Sequence, residues 1–335
     1  MNVDEVKTVC AIGAGAMGAG TALCFAVAGY NVNFYARRTE GLADGIREIQ
    51  SALKTLQQHG LVHEPDATIM ARITATTCLK AAAEKADLAI ESIAEVLTTK
   101  QKIFSQLDKI CPPHTIFATN SSGLSPTEIA ESVERKDKFV VMHFWNPPHL
   151  IPLVEIVPGK HTSQETSDIA FQLVQKIGKE PVLLNKEAPG FIGNRLQLAL
   201  LREAYHIVAE GIATPEAVDT VIEFGPGRRW AKTGPFKSLD LGGKDVFQEI
   251  FKNVAPHLSN SPGIPERLTQ AVEAGKLGTK TGEGVYLWSD EALASVKNKR
   301  GNELIRHLKD DRSGTAPARP AAPRPGDVST EPTND

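Results

Sequence analysis

The chain is poor in the residues that build crosslinked, membrane-spanning or nucleic-acid-binding proteins. Its 335 residues include four cysteines, Cys10, Cys24, Cys78 and Cys111, with no CxxC pair among them. A zinc site or a disulfide framework needs clustered cysteines, so the expectation is four reduced thiols in the core and no metal. Long apolar runs are missing as well, and none reaches the roughly 18 residues of a membrane span. The first residues, Met1 to Lys7, are polar and acidic and lack the apolar stretch of a secretion signal. Charge of one sign is also absent. The formal net charge is -3, whereas binding to nucleic acid or a membrane surface needs a positive field. These absences point to a soluble cytoplasmic protein. What is present is an ordinary 41% of hydrophobic residues, and a length that suits about two domains.

The first half alternates strand-like and helix-like stretches. Strands are expected at Thr8–Ile12, Asn31–Tyr35, Arg72–Thr76, Leu88–Ile93, Thr115–Thr119, Phe139–His143 and Val154–Val157. Helices are expected between most of them, as at Ala16–Ala28, Val96–Ile110 and Ser125–Ser132. Such alternation implies parallel pairing, because a parallel crossover needs a dozen or more residues. The character changes near Pro189. From Gly190 to Gly211 the pattern reads as one long helix, and helical segments dominate afterwards. The expected fold is therefore α/β, a Rossmann-type doubly wound, mostly parallel sheet over residues 1–187. An all-α domain for substrate binding and dimerisation should follow over 188–311. Residues 312–335 are rich in Pro, Ala, Arg and Thr and have too few large apolar side chains to offset ordering, so a disordered tail is expected.

At the end of the first expected strand stands Gly13-Ala-Gly15-Ala16-Met17-Gly18. The order strand, GxGxxG, helix is what a dinucleotide pyrophosphate requires. Gly13 permits the turn, Gly15 lets the backbone approach the phosphates, and Gly18 lets the helix press against the strand. The free N–H groups at the helix start then hold the anion. The tip of the second strand discriminates between cofactors. A site for NAD usually has Asp or Glu there to accept from the ribose hydroxyls. This chain has Ala36 followed by Arg37 and Arg38, a pair suited to the 2′-phosphate of NADP. The reading is NAD or NADP with NADP favoured, and the alternative is that both arginines are solvated.

Four further motifs follow in order: Ala89-Ile-Glu91-Ser-Ile-Ala-Glu95 through Lys100; Thr119-Asn120-Ser121-Ser122-Gly123; Met142-His143-Phe-Trp-Asn146-Pro147-Pro148 through Glu155; and Pro189-Gly190-Phe-Ile-Gly-Asn194-Arg195. Together with Lys280-Thr-Gly-Glu-Gly-Val-Tyr286 they resemble the L-3-hydroxyacyl-CoA dehydrogenase family over Lys7 to about Trp288. The residue types suit the chemistry. Oxidising a secondary alcohol requires a base for the hydroxyl proton, and histidine titrates near neutrality. A carboxylate on the far ring nitrogen fixes the tautomer and stabilises the imidazolium. The resemblance implies His143 as base, Glu155 as its partner, and Ser122 and Asn194 on the substrate oxygen. It also implies cofactor contacts from Glu95, Lys100, Asn120, Asn146 and Lys280. Competing readings are Ser121 or Ser122 as a turn cap, and Glu95 with Lys100 as a helix-surface pair. His149, His206 and His257 lack a motif and read as surface or packing residues.

Two departures bear on the substrate. Members acting on CoA thioesters often carry basic and hydroxyl residues after the second strand, and Gln57 to Asp66 gives no clear match. The usual Asn-Pro-Val is Asn146-Pro147-Pro148, closer to relatives that oxidise small free acids such as L-gulonate and carnitine. Arg228 and Arg229, near an expected substrate wall, suit a free carboxylate, and read equally as surface charges. Three readings follow: a 3-hydroxyacyl-CoA dehydrogenase, a dehydrogenase of a small free 3-hydroxy acid, or a non-catalytic crystallin-like dinucleotide-binding protein. The apolar residues of the Gly190–Gly211 stretch exceed what one small domain requires, so a homodimer through the second domain is expected.

Overall fold

A computed structural model describes residues 1–313. Apart from Arg312 and Ser313, the tail expected to be disordered lies outside the described residues. By internal contacts the described residues divide into two units, Met1–Ile192 together with residues 299–313, and Gly193–Asn298.

The first unit is an eight-stranded sheet of β1 (Thr8–Ile12), β2 (Asn31–Tyr35), β3 (Ile73–Thr76), β4 (Leu88–Glu91), β5 (Ile116–Thr119), β6 (Phe139–Phe144), β7 (Leu153–Pro158) and β8 (Glu180–Leu183). The spatial order is β3-β2-β1-β4-β5-β6-β7-β8. All neighbours pair in parallel except β6 and β7, which are antiparallel. Seven strands fall where the apolar runs are. The eighth, Glu-Pro-Val-Leu, is short and carries a proline and a charge, so its pattern did not mark it.

The central strands β1, β4, β5 and β6 are buried on both faces because helices cover both, while the edge strands β3 and β8 are largely not. These are α1 (Ala16–Val27), α2 (Thr39–Gln58), α3 (Asp66–Ala71), α4 (Leu79–Ala83), α5 (Leu97–Ile110), α6 (Pro126–Ala130) and α7 (Gln164–Lys176). Strand alternation splits the core in two. Val9, Ala11, Val32, Phe34, Leu88 and Ile90 join one cluster, and Cys10, Ile12, Tyr35, Ala89 and Phe117 the other. In α2 the buried residues Ile49, Leu53 and Leu56 form one helical stripe. Three cysteines are buried as expected, but Cys78 is exposed, at the N-cap of α4.

The second unit holds α8 (Gly193–Ala209), α9 (Pro215–Phe224), α10 (Pro226–Gly242), α11 (Lys244–Val254), α12 (Glu266–Glu273) and the start of α13 (Asp290–Arg312). Helix α8 begins three residues later than the pattern suggested. Phe191 takes a positive φ of 54° and is buried with Val141, Val157 and Leu184 in the first unit, which delays the helix. Residues 299–313 also group with the first unit, whereas the sequence reading put residues up to 311 in the second. Ile305 and Leu308 of α13 join the core cluster that holds Leu61 and Val62, and Arg312 donates to the Leu61 carbonyl at 2.6 Å. Among the described residues no helix is long and apolar enough to cross a membrane.

Candidate active site

The strand order reverses between β1 and β4, and ligands of such sheets bind outside the carboxyl ends of the strands at that point. Gly13 follows β1 there with φ 108°, and a Cβ on it would stand 2.5 Å from the Ser92 carbonyl. A Cβ on Gly18 would stand 1.8 Å from the Gly13 carbonyl, so only glycine lets α1 lie this close to the strand end. Gly15 has open space around its Cβ position and heads α1 with no side-chain cap. The first-turn N–H groups, including those of Met17 and Gly18, have no intrahelical partner. A pyrophosphate fits this cradle of bare N–H groups beside Gly15 and Ala16.

At the tip of β2, Ala36 is buried while Arg37 and Arg38 are exposed, and Arg38 is the N-cap of α2. Neither arginine has a salt bridge among the described residues.

Strand β6 ends on the same edge of the sheet, because β6 runs parallel to β5. Antiparallel pairing sets His143 opposite Glu155. His143 Nδ1 lies 2.9 Å from Glu155 Oε2, and both residues are buried. A carboxylate only accepts, so Nδ1 carries the proton and Nε2 is the ring's acceptor. Glu155 Oε1 accepts from the Ile192 backbone N–H at 2.9 Å. Trp145 and Phe191 flank the imidazole, with ring centroids at 5.5 and 5.6 Å.

The loop after β5 is held from below. Asn120 Oδ1 accepts from the Phe144 N–H at 2.7 Å, and its amide donates to Ser92 Oγ at 3.2 Å. Ser121 is buried, donates to Glu95, and accepts from the Leu124 N–H at 3.1 Å. Ser122 is exposed, and its N–H reaches Glu95 Oε1 at 2.9 Å. The Gly123 N–H reaches the same oxygen at 3.2 Å. Of the two serines the sequence offered, the structure makes Ser121 the turn residue and leaves Ser122 at the surface of the loop.

Lys100 is buried. Its side chain is 1% exposed and makes bonds of 2.7 and 3.0 Å to the two Glu91 oxygens. A further contact of 3.3 Å reaches Glu95. Glu91, also fully buried, accepts in addition from Thr119 Oγ1 at 2.7 Å and the Ile93 N–H at 2.5 Å. Lys100 is therefore not an exposed surface pair. It neutralises Glu91 inside the sheet edge and steadies Glu95. Hydrogen bonds from Ser121 and the Ser122 N–H, with the charge of Lys100, outweigh burial and hold the Glu95 carboxyl below its ordinary range. Glu95 thus serves chiefly as the acceptor for three groups of the 121–123 loop.

Two supporting residues carried no motif. Lys179 is buried, and its ammonium donates to the carbonyls of Pro148 and, at 2.9 Å, Ile151. It thereby pins the loop that carries Asn146, which is itself exposed. Burial lowers the pKa of Lys179 and, with Lys179 nearby, pushes His149 down to about 4. Glu187 binds Ser125 Oγ at 2.9 Å and Thr127 Oγ1 at 2.6 Å, closing the start of α6. In the second unit, Asn194 opens α8 and Lys280 is exposed in a turn between Gly278 and Glu283. Arg228 donates to the Glu223 carbonyl at 3.1 Å and lies 4.6 Å over the Phe224 ring, while Arg229 is exposed. Among the described residues no group of three His, Cys, Asp or Glu is placed to hold a metal ion.

Sheet, glycine cradle and buried His–Glu pair define a dinucleotide-dependent oxidoreductase. The chain belongs to the 3-hydroxyacyl-CoA dehydrogenase family: residues 8–188 match the model of its NAD binding domain, and residues 190–288 that of its C-terminal domain. It is 37% identical over 289 residues to a probable 3-hydroxybutyryl-CoA dehydrogenase of Bacillus subtilis, covering 86% of this chain and 99% of that protein. It is 33% identical to an L-carnitine dehydrogenase of Bacillus cereus, covering 83% of this chain and 88% of that protein. A crystal structure of 5-formyl-3-hydroxy-2-methylpyridine 4-carboxylic acid 5-dehydrogenase, described as an NAD+ dependent dismutase, superposes with a TM-score of 0.87 at 29% identity, covering 92% of this chain and 99% of the other.

Proposed function

We propose that the protein oxidises the 3-hydroxyl group of a 3-hydroxyacyl substrate, with His143 as the base. The observation that carries this reading is the 2.9 Å bond from His143 to buried Glu155 at the ligand edge of the sheet. It fixes the tautomer with Nε2 as acceptor. The hydroxyl proton passes to Nε2, the carbinol hydrogen leaves with its electron pair, and the carbon becomes a carbonyl. The imidazolium formed is stabilised by the Glu155 charge. When bound, the nicotinamide supplies the acceptor for the hydride. Gly13, Gly15, Ala16, Met17 and Gly18 hold the pyrophosphate, and Asn120, Asn146 and Lys280 belong to the remaining cofactor contacts. Ser122 and Asn194 hydrogen-bond the reacting oxygen, favouring it as its charge changes.

A second reading of the substrate, a small free 3-hydroxy acid, is favoured by α13. Its end packs at Leu61 and Val62, the stretch where thioester-using members carry residues for the CoA nucleotide. Arg229, exposed and without a salt bridge among the described residues, suits a free carboxylate better than Arg228, which is tied to Glu223 and Phe224. NADP is favoured over NAD by Arg37 and Arg38 beside Ala36, by roughly tenfold to hundredfold. A homodimer is supported by the second unit, where no residue from 193 to 298 is buried and Phe236 and Leu287 are 82% and 78% exposed. A cytoplasmic setting accords with the scattered free cysteines.

The test is a panel of short 3-hydroxyacyl-CoA thioesters and free 3-hydroxy acids, each with NAD and with NADP, followed by reduced-nicotinamide absorbance. Turnover of thioesters alone removes the free-acid reading, and turnover of free acids alone removes the thioester reading. Equal or better use of NAD removes the arginine argument, and Ala36→Asp with Arg37→Ser should reverse an NADP preference. Cofactor binding without turnover of any member would leave the crystallin-like reading.

A further inference from the structure

Strand alternation brings Trp145 to the same carboxylate as His143. The two are separated by one residue at the end of β6, so their side chains leave the chain on one side. His143 Nδ1 lies 2.9 Å from Glu155 Oε2, and the indole Nε1–H donates to that same oxygen at 3.2 Å. Ile192 N–H holds the other oxygen. The Glu155 carboxylate is thus pinned at both ends before the imidazole approaches it.

We propose that Trp145 is a positioning residue for the proton transfer, acting through Glu155: its indole N–H fixes the plane of the carboxylate and draws charge from the oxygen that faces the imidazole. This rests on His143 being the base. Two donors on one oxygen share its negative charge, so each weakens the hold of the other. With the indole in place, Glu155 orients the ring while binding the imidazolium less tightly than an undivided carboxylate would. Without the indole, the imidazole would face the undivided charge of that oxygen. Glu155 from β7 is the charged group facing the imidazole from the packed elements; β5 and the segment from Pro189 to Ile192 contribute none. The charged residues that flank that segment in the chain are Lys186, Glu187, bound to Ser125 and Thr127, and Arg195. A phenylalanine would keep the ring packed against His143 and lack only the donor, so a tryptophan here adds a function that packing alone does not need.

The experiment compares Trp145→Phe with the unmodified holoenzyme. The acid limb of the kcat/KM profile should move to higher pH by about half to one pH unit, the scale of one hydrogen bond to a charged acceptor. The plateau should fall by roughly three- to tenfold as the ring loses its fixed partner, while the KM for the cofactor stays unchanged. A limb that stays in place overturns the proposal, whatever happens to the plateau. A second measurement stands without turnover. The chain has three tryptophans, Trp145, Trp230 and Trp288, and their indole N–H signals are resolved by 15N labelling. The signal assigned to Trp145 by its loss in Trp145→Phe should exchange slowly with solvent. It should also move with pH at the midpoint of the kinetic limb, and stop moving in His143→Gln. Rapid exchange, or a shift indifferent to pH in the unmodified protein, overturns the proposal. Undiminished turnover in His143→Gln would instead remove the base reading on which it rests, so the two failures are distinct.

Discussion

Ser121 and Ser122 are adjacent, chemically identical and placed in opposite surroundings. Ser121 is sealed under the loop, where its hydroxyl gives a hydrogen to Glu95 and takes one from Leu124. Ser122 stands at the exposed surface. Removing the first should unsettle the loop, because the Glu95 carboxylate and the Leu124 N–H both lose a partner, at about 1 kcal/mol. Removing the second should affect the reaction. Ser121→Ala is therefore expected to lower the melting temperature in calorimetry, whereas Ser122→Ala should leave it within a degree or so and lower kcat/KM by roughly tenfold or more. The reverse pattern would exchange their roles. The sequence offered both serines, since the choice depends on which one Glu95 reaches from another loop. Trp145 was passed over for a similar reason. Its partner lies ten residues away on the next strand, and only the register of β6 on β7 makes the pair visible.

Between elements, the controlling feature is the buried Lys100–Glu91 pair that ties α5 to β4. The sequence offered Lys100 and Glu95, five residues back, either as a surface pair or, by the family resemblance, as cofactor contacts. The observed stem instead reaches inward to a strand residue of the same motif, Glu91, whose burial in a four-residue strand gave no sign that it needed a cation. Breaking such a pair by removing one partner leaves an uncompensated buried charge, which costs about 3–5 kcal/mol. Lys100→Met should thus destabilise the protein by that amount in urea unfolding. Lys100→Met combined with Glu91→Gln should recover much of the loss. A single variant as stable as the parent would mean the pair contributes nothing. The glycine loop needed less of such information. Its motif is written in six consecutive residues and Gly18 meets Gly13 within it, although Gly13 also meets the Ser92 carbonyl beyond β4.

For the molecule as a whole, the sheet was legible because its strands are continuous apolar runs separated by helix-length segments. The ends of the two units were less so. Phe191 reads as part of a helix by pattern, yet it turns back into the first unit. The anchor of α13 is only two apolar residues, Ile305 and Leu308, in an otherwise charged helix, too few to assign it to one unit or the other from sequence. The second unit exposes large apolar side chains along α8, among them Leu196, Leu198, Leu200 and Leu201. A unit that buries none of its residues cannot offset the entropy of ordering them by itself. Light scattering at micromolar concentration should give twice the chain mass, and a monomeric mass would contradict this. The central claim is that His143, oriented by Glu155, takes the proton as the hydride leaves. It is tested most directly by His143→Gln, assayed for turnover and for cofactor affinity side by side. The account predicts a loss of roughly two to four orders of magnitude in kcat, the usual scale for a general base, with cofactor affinity unchanged. Near-normal turnover would contradict it.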